Sequence, residues 1–153
     1  MQIIVLLVTF LNLNILIQSF HLNQELLFSR YGYSNESVII DLNNQNIDSI
    51  DSDTFNDLNQ LEILYLHENK LTKLDSDLFS SLLNLKVVWL ESNNIVSLNR
   101  NIFANLTQLE MVCLHNNPVS ILFASSIKDI CKTNPNCILK VTESCAPPKF
   151  TRI

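Results

Sequence analysis

Between Ser37 and Leu122 apolar and polar residues follow one pattern that returns at a fixed period, with Leu61, Leu85 and Leu109 as successive first positions. Its clearest copy reads Leu61, Leu64, Leu66, Asn69, Leu71, Leu74, Phe79, Leu82. The next reads Leu85, Val88, Leu90, Asn93, Ile95, Leu98, Phe103, Leu106. A third runs from Leu109 through Val112, Leu114, Asn117, Val119 and Leu122, with Ile127 and Ile130 where Phe and Leu stood before. A worn copy precedes them: Ser37, Ile40, Leu42, Gln45, Ile47, Ile50, Phe55, Leu58. The two-residue alternation at the start of each copy predicts a short strand, with Leu64 and Leu66 turned inward and Ile63, Tyr65 and His67 outward. No copy can bury its own apolar face, so the copies are expected to stack as a solenoid.

The rest of each unit has a role by the same logic. The Asn after each strand (Asn69, Asn93, Asn117) is placed to satisfy backbone groups of its own turn and of the next repeat. Gln45 stands there in the first copy. Phe55/Leu58, Phe79/Leu82 and Phe103/Leu106 are expected to form a second buried spine. Asp51-Ser52-Asp53, Asp75-Ser76-Asp77 and Asn99-Arg100-Asn101 precede them and suit the capping of short helical or 3₁₀ turns. Calcium does not fit these acidic runs, which lack the Gly and Glu of an EF-hand loop. Each buried Leu, Ile or Phe contributes roughly 1.5–3 kcal/mol before entropy, so four such units suffice for a folded domain.

The L-x-x-L-x-L-x-x-N motif at this period resembles the extracellular, typical class of leucine-rich repeats. The resemblance implies an α/β solenoid: a horseshoe with a parallel β-sheet on its concave side and short helical or 3₁₀ turns on its convex side. It divides the chain into an N-terminal cap at 20–36, repeats at 37–122 and a cysteine-bearing C-terminal cap at 123–153. The ends depart from the family pattern. Residues 20–36 contain no Cys, and Ile121-Leu122 stand where a Cys-x-Cys is usual after Asn117-Pro118. Short secreted arthropod proteins of this kind, immune leucine-rich proteins among them, have similar ends.

Residues 2–20 carry no charge and are rich in Ile, Leu, Val and Phe. Asn12 and Asn14 interrupt a run that would need about 20 apolar residues to span a bilayer. A secretory leader at 1–19, cut after Ser19, is therefore expected, although no Lys or Arg stands near Met1. The sequence shows no second hydrophobic stretch, and no stable membrane anchor is expected. Sequons at Asn35 and Asn105 fit a secreted, extracellular glycoprotein, the Asn105 site being on the outer side of its repeat. The formal net charge of −5 argues against nucleic acid as partner.

Four cysteines, Cys113, Cys131, Cys137 and Cys145, allow three pairings. Cys131 and Cys137 flank a Pro-containing turn, which favours their bridge and leaves Cys113 and Cys145, either as a second bridge or with one of them free to join another chain. Cys137 also lies one full period after Cys113 and would be its strand neighbour if the register held. A one-residue slip would instead turn Cys137 inward and bury Leu139 and Val141.

Read across the strands, the outward positions form three columns: Ile39, Ile63, Val87, Met111; then Asp41, Tyr65, Trp89, Cys113; then Asn43, His67, Glu91, His115. An apolar stripe with aromatic residues and a polar border is what a protein-binding patch looks like. The expected partner-binding residues are Ile63, Tyr65, His67, Val87, Trp89, Glu91 and Met111, with Tyr65 and Trp89 as anchors. The competing explanations are that β-branched and aromatic residues simply favour strands, or that a cap or tail covers them. No catalytic motif appears, and a single glycine, Gly32, leaves little room for a glycine-dependent active-site loop. The chain is read as a non-enzymatic binding module without cofactor; the resemblance implies a protein or glycan ligand. Two alternatives stand beside this: a metal carrier or hydrolase built on His67, Glu91 and His115, and a structural subunit of an extracellular complex. Oligomeric state is left open.

Overall fold

Every expected repeat strand forms, and each is short. The computed structural model describes residues 20–119, 137–141 and Cys145. The strands are β1 (Phe20–Leu22), β2 (Ile39–Asp41), β3 (Ile47–Ile50), β4 (Ile63–Tyr65), β5 (Val87–Trp89), β6 (Met111–Cys113) and β7 (Ile138–Lys140), and helix α1 (Gln24–Ser29) follows β1. The main sheet is parallel in the order β2-β4-β5-β6-β7, and β1 pairs with β3 in a second, two-stranded parallel sheet. The register follows the repeat: Ile40, Leu64, Val88 and Val112 are paired in series, one residue per coil. These residues face inward and are fully buried, as are Leu42, Leu66, Leu90 and Leu114.

Two ladders hold the coils together. Phe55, Phe79 and Phe103 are buried and stacked, with ring centroids 6.3 and 5.4 Å apart and planes within 13°. The second ladder is polar. The Asn93 Oδ1 accepts the Leu71 N–H, and its Nδ2 donates to the carbonyls of Leu66 and Leu90. Asn117 repeats this with Ile95, Leu90 and Leu114. Asn69 accepts from the backbone of Gln45 and Ile47 and donates to Leu42 and Leu66. Each buried amide thus satisfies backbone groups of its own coil and of the coil before it, not of the next repeat as expected; these groups would otherwise be orphaned in the core.

The residue before each ladder position, and Asn44 before Gln45, has a left-handed backbone: Asn44 φ 51°, Glu68 56°, Ser92 55°, Asn116 58°. The N–H groups of Asn44, Glu68 and Ser92 bond across to the next coil, to the carbonyls of His67, Glu91 and His115. The chain makes these turns without glycine.

On the convex side the short turns form as runs of linked turns, without a regular helix among the described residues. They are closed by i→i+3 bonds such as Asn56 N–H to Asp53 O and Ser80 N–H to Asp77 O. The capping role is met in two of the three acidic or Asn-rich segments: Asp75 accepts from the Asp77 N–H and Asn99 from the Asn101 N–H.

The N-terminal segment seals the first coil. Asn23 caps α1 by accepting from the Leu26 N–H, and Leu22 and Leu27 enter the core. The Tyr33 hydroxyl donates to the Asp41 carbonyl and accepts the Asp41 N–H, so one side chain blunts the open edge of β2. Burial holds the Tyr33 phenol above its ordinary pKa, and the Asp41 charge adds to this against the lowering effect of that backbone bond.

At the other end the register changes. One full period after Met111 the sequence has Pro135, yet Met111 pairs with Ile138, and Val112 with Leu139. The strand has slipped by an odd number of positions, which exchanges its faces. Cys137, Leu139 and Val141 therefore pack against the core, and Cys137 is not the strand neighbour of Cys113. The expected leader at 1–19 and most of the C-terminal cap at 123–153, with Ile127, Ile130 and Cys131, lie outside the described residues.

Candidate functional site on the concave face

Parallel pairing sets the outward columns as the alternation predicts. Ile39, Ile63, Val87 and Met111 are in register, and so are Asp41, Tyr65, Trp89 and Cys113. The expectation that this face stands open to water fails over much of its area. Trp89 is 5% exposed, Ile63 5% and Val87 8%, while Cys113 is fully buried. For Trp89 and Cys113 the reason is a disulfide. Cys113 is bonded to Cys145 across 32 residues, with Cα atoms 6.2 Å apart. Cys145 therefore lies over the concave face, where Trp89, Cys113 and Cys145 form a second small core flanked by Tyr65 and Met111. The expected complement of the bridge to Cys137 is present. Cys137 is itself disulfide-bonded, and the proposed partner, Cys131, is outside the described residues.

Glu91 organises this closed half. Its carboxylate accepts from the Trp89 Nε1–H at 3.2 Å and from the Cys145 N–H at 3.2 Å, and His115 Nδ1 is 3.6 Å away. The other half remains a pocket of about 500 Å³. Asp41, Asn43, Tyr65, His67 and Glu68 line it, with Trp89, Glu91, Ser92 and Cys145 on its closed side. The rings of Tyr65 and Trp89 are 5.5 Å apart, those of His67 and Trp89 5.3 Å, and Tyr65 meets His67 edge-on at 5.9 Å. His67 Nε2 lies 3.2 Å from the Asn43 amide. The Tyr65 phenol is raised above its ordinary pKa, first by burial and then by the Asp41 charge.

Of the expected partner-binding residues, Tyr65, His67, Trp89 and Glu91 meet in this pocket, whereas Ile63, Val87 and Met111 are not among its lining. The metal alternative loses its geometry. Glu91 is engaged by Trp89 and Cys145, and no group of three His, Cys, Asp or Glu side chains among the described residues is arranged to hold a metal ion. Asp41, Asn43, Glu68 and Ser92 were not expected as lining. The first two stand in the outward columns and were legible as such. Glu68 and Ser92 were not, because their exposure follows from the left-handed turn. The sequon residues Asn35 and Asn105 are both exposed.

Among known proteins, a family profile described as "Leucine rich repeat" matches residues 38–85 and 60–119. The leucine-rich repeat domain of APL1 is 30% identical over 63% of this chain, with a TM-score of 0.58, and this chain spans 25% of it. APL1B aligns at 28% identity over 65% of this chain, 30% of its own, with a TM-score of 0.52. The glycosylated Toll–Spatzle complex from Drosophila contains a chain that shares the fold at 21% identity and a TM-score of 0.63, over 78% of this chain and 16% of its own. No curated protein is similar enough to count as a relative. The described residues contain no helix long and apolar enough to cross a membrane. With the profile covering 38–119, more than half of the 153 residues, the chain belongs to the leucine-rich repeat family.

Proposed function

We propose that this chain is a secreted, non-enzymatic recognition module that binds a protein through the open half of its concave face. The observation that carries the reading is the pocket itself: aromatic walls, a polar rim and rigid strands beneath, the arrangement of a contact that excludes water. The family supports it, since leucine-rich repeats serve as interaction scaffolds. So does the LRIM1/APL1C complex, a solved assembly whose similar chain is 30% identical over 63% of this one. Tyr65 is the anchor, because it is half-buried and borders the pocket, whereas Trp89 supports it from the closed side. The apolar residues 1–19 act as a leader, and Asn35 and Asn105 carry glycan on export.

The test is capture of partners from extracellular fluid with the mature protein, comparing Tyr65→Ala with Leu90→Ala. Tyr65→Ala is expected to weaken capture by about 2 kcal/mol with little change in melting. Leu90→Ala, inward and fully buried, is expected to cost about 2–5 kcal/mol of stability. Capture unaffected by Tyr65→Ala would move the site elsewhere. Expression in secretory cells tests export: the product should be cut near Ser19 and glycosylated, and an intracellular chain with Met1 intact would refute it.

A further inference from the structure

We propose that the open half of the concave pocket is a socket for the guanidinium group of an arginine side chain on a protein partner. This rests on the concave-face reading above and specifies its chemistry. Three carboxylates line the pocket, those of Asp41, Glu68 and Glu91, and no lysine or arginine does among the described residues. Their surroundings differ. Glu91 is on the closed side, holding the Trp89 indole and the Cys145 N–H. Asp41 and Glu68 are exposed at the rim, Asp41 with one oxygen on the Asn43 N–H. The rim charges are therefore turned to solvent around a wall of rings.

The walls select the shape of the cation. Tyr65 and His67 are half-buried and present ring surface beside the acidic rim, with Trp89 packed behind both. A guanidinium is planar and weakly hydrated, stacks on aromatic faces and forks its N–H groups onto carboxylates. An ammonium is compact and strongly hydrated, and loses more on entering such a slot. An anionic ligand would meet three like charges, and an unfunctionalised apolar side chain would leave the rim carboxylates without return for their lost water. Burial and then the Asp41 charge raise the Tyr65 phenol further above its ordinary pKa, so its hydroxyl stays a donor and adds no negative charge.

Trp89 is the chain's one tryptophan and lines the pocket, so its fluorescence reads occupancy directly. The probes are acetyl-Gly-Arg-Gly-amide, the same peptide with lysine, and the same with citrulline, which keeps the shape and loses the charge. Titrated into the full mature chain at low salt, the arginine peptide is expected to shift Trp89 emission saturably. The lysine peptide should bind more weakly, and the citrulline peptide about tenfold more weakly. Added salt should weaken the arginine peptide more than the citrulline one. Asp41→Asn with Glu68→Gln should lower arginine binding about tenfold while leaving melting intact, since the Asn oxygen still accepts the Asn43 N–H.

Equal binding of arginine and citrulline peptides, or unchanged binding in the double variant, would overturn the proposal. A second source of guanidinium exists in the chain's own Arg152, with Lys149 near it in sequence. If the probe binds only after Lys149→Gln and Arg152→Gln, the occupant is this chain and not a partner, and the proposal fails. If the probe binds as expected but Tyr65→Ala leaves partner capture intact, the socket stands and the concave-face partner reading falls; the two failures are thereby separate.

Discussion

Asn93 and Trp89 are near neighbours on one strand and turn, and nearly everything that can be said of one is untrue of the other. Asn93 recurs as Asn69 and Asn117, each with the same kind of partners in the same places. Trp89 recurs as nothing: its column holds Asp41, Tyr65 and Cys113. The amide is buried by the regular stacking of coils, whereas the indole is buried by a residue far along the chain, Cys145, fixed by a disulfide. The interior is thus determined by repetition, and the concave face by singular residues and one long-range bond. The first kind of burial can be read from period alone and the second cannot.

That contrast can be broken experimentally, beginning with the largest effect. Asn93→Ala removes an acceptor for Leu71 and a donor for Leu66 and Leu90. It should cost about 4 kcal/mol or more, because several buried backbone groups lose their partners together. Urea denaturation of the variant would show this, and a loss below about 1 kcal/mol would mean that water replaces the amide and the ladder is dispensable. Next comes the closed half of the concave face. Cys113→Ser with Cys145→Ser should lower stability by about 3 kcal/mol and shift Trp89 emission to the red as its cover departs. Unchanged emission would show that something other than the bridge buries the indole.

A smaller effect is expected at the left-handed turns, where Glu68 and Ser92 hold a backbone that suits Gly or Asn better. Glu68→Gly and Ser92→Gly should each raise stability by up to about 1 kcal/mol, and thermal melting would detect the sum. A loss would mean that these side chains contribute to the coil more than their conformation costs.

The smallest effect concerns Tyr65 at alkaline pH. Its folded pKa is raised by burial and by Asp41, so the neutral phenol is favoured on folding. That contribution is fully present below the ordinary tyrosine pKa of about 10 and is lost as pH rises through the folded value. Tyr65→Phe should therefore show a slightly flatter decline in stability above a pH of about 10 than the parent. An identical decline would assign the alkaline limb to other tyrosines.

Much of this structure was legible because a residue type that returns at a fixed spacing has one explanation. Leu64, Leu66, Phe79 and Asn69 could each be placed before any coordinate was known. What escaped was of two sorts. β1 and α1 are short and unrepeated, and β1 pairs with β3 across the intervening helix and β2 without any periodic trace. The slipped register of β7 likewise leaves no mark in a pattern that has already ended. Cys145 could be paired with Cys113 by reasoning on the neighbouring cysteines, yet nothing in the spacing said that it would come to rest on Trp89 and divide the recognition face.

The asparagine ladder has one further consequence. Among the described residues its last rung is Asn117, just beyond Cys113; at the matching place beyond Lys140 the sequence has Ser144 in place of Asn. Among the described residues, the coil containing β7 joins the solenoid through strand pairing, the packing of Cys137, Leu139 and Val141, and the disulfide. In a repeat array stability is a sum of local and nearest-neighbour terms, so opening is expected to proceed by units from the end with the weakest coupling. Amide exchange should accordingly be graded along the chain, quickest in β7 and slowest in β4 and β5. Such a gradient would make the terminal coil a separate cooperative unit, able to part from the solenoid while the central coils remain native.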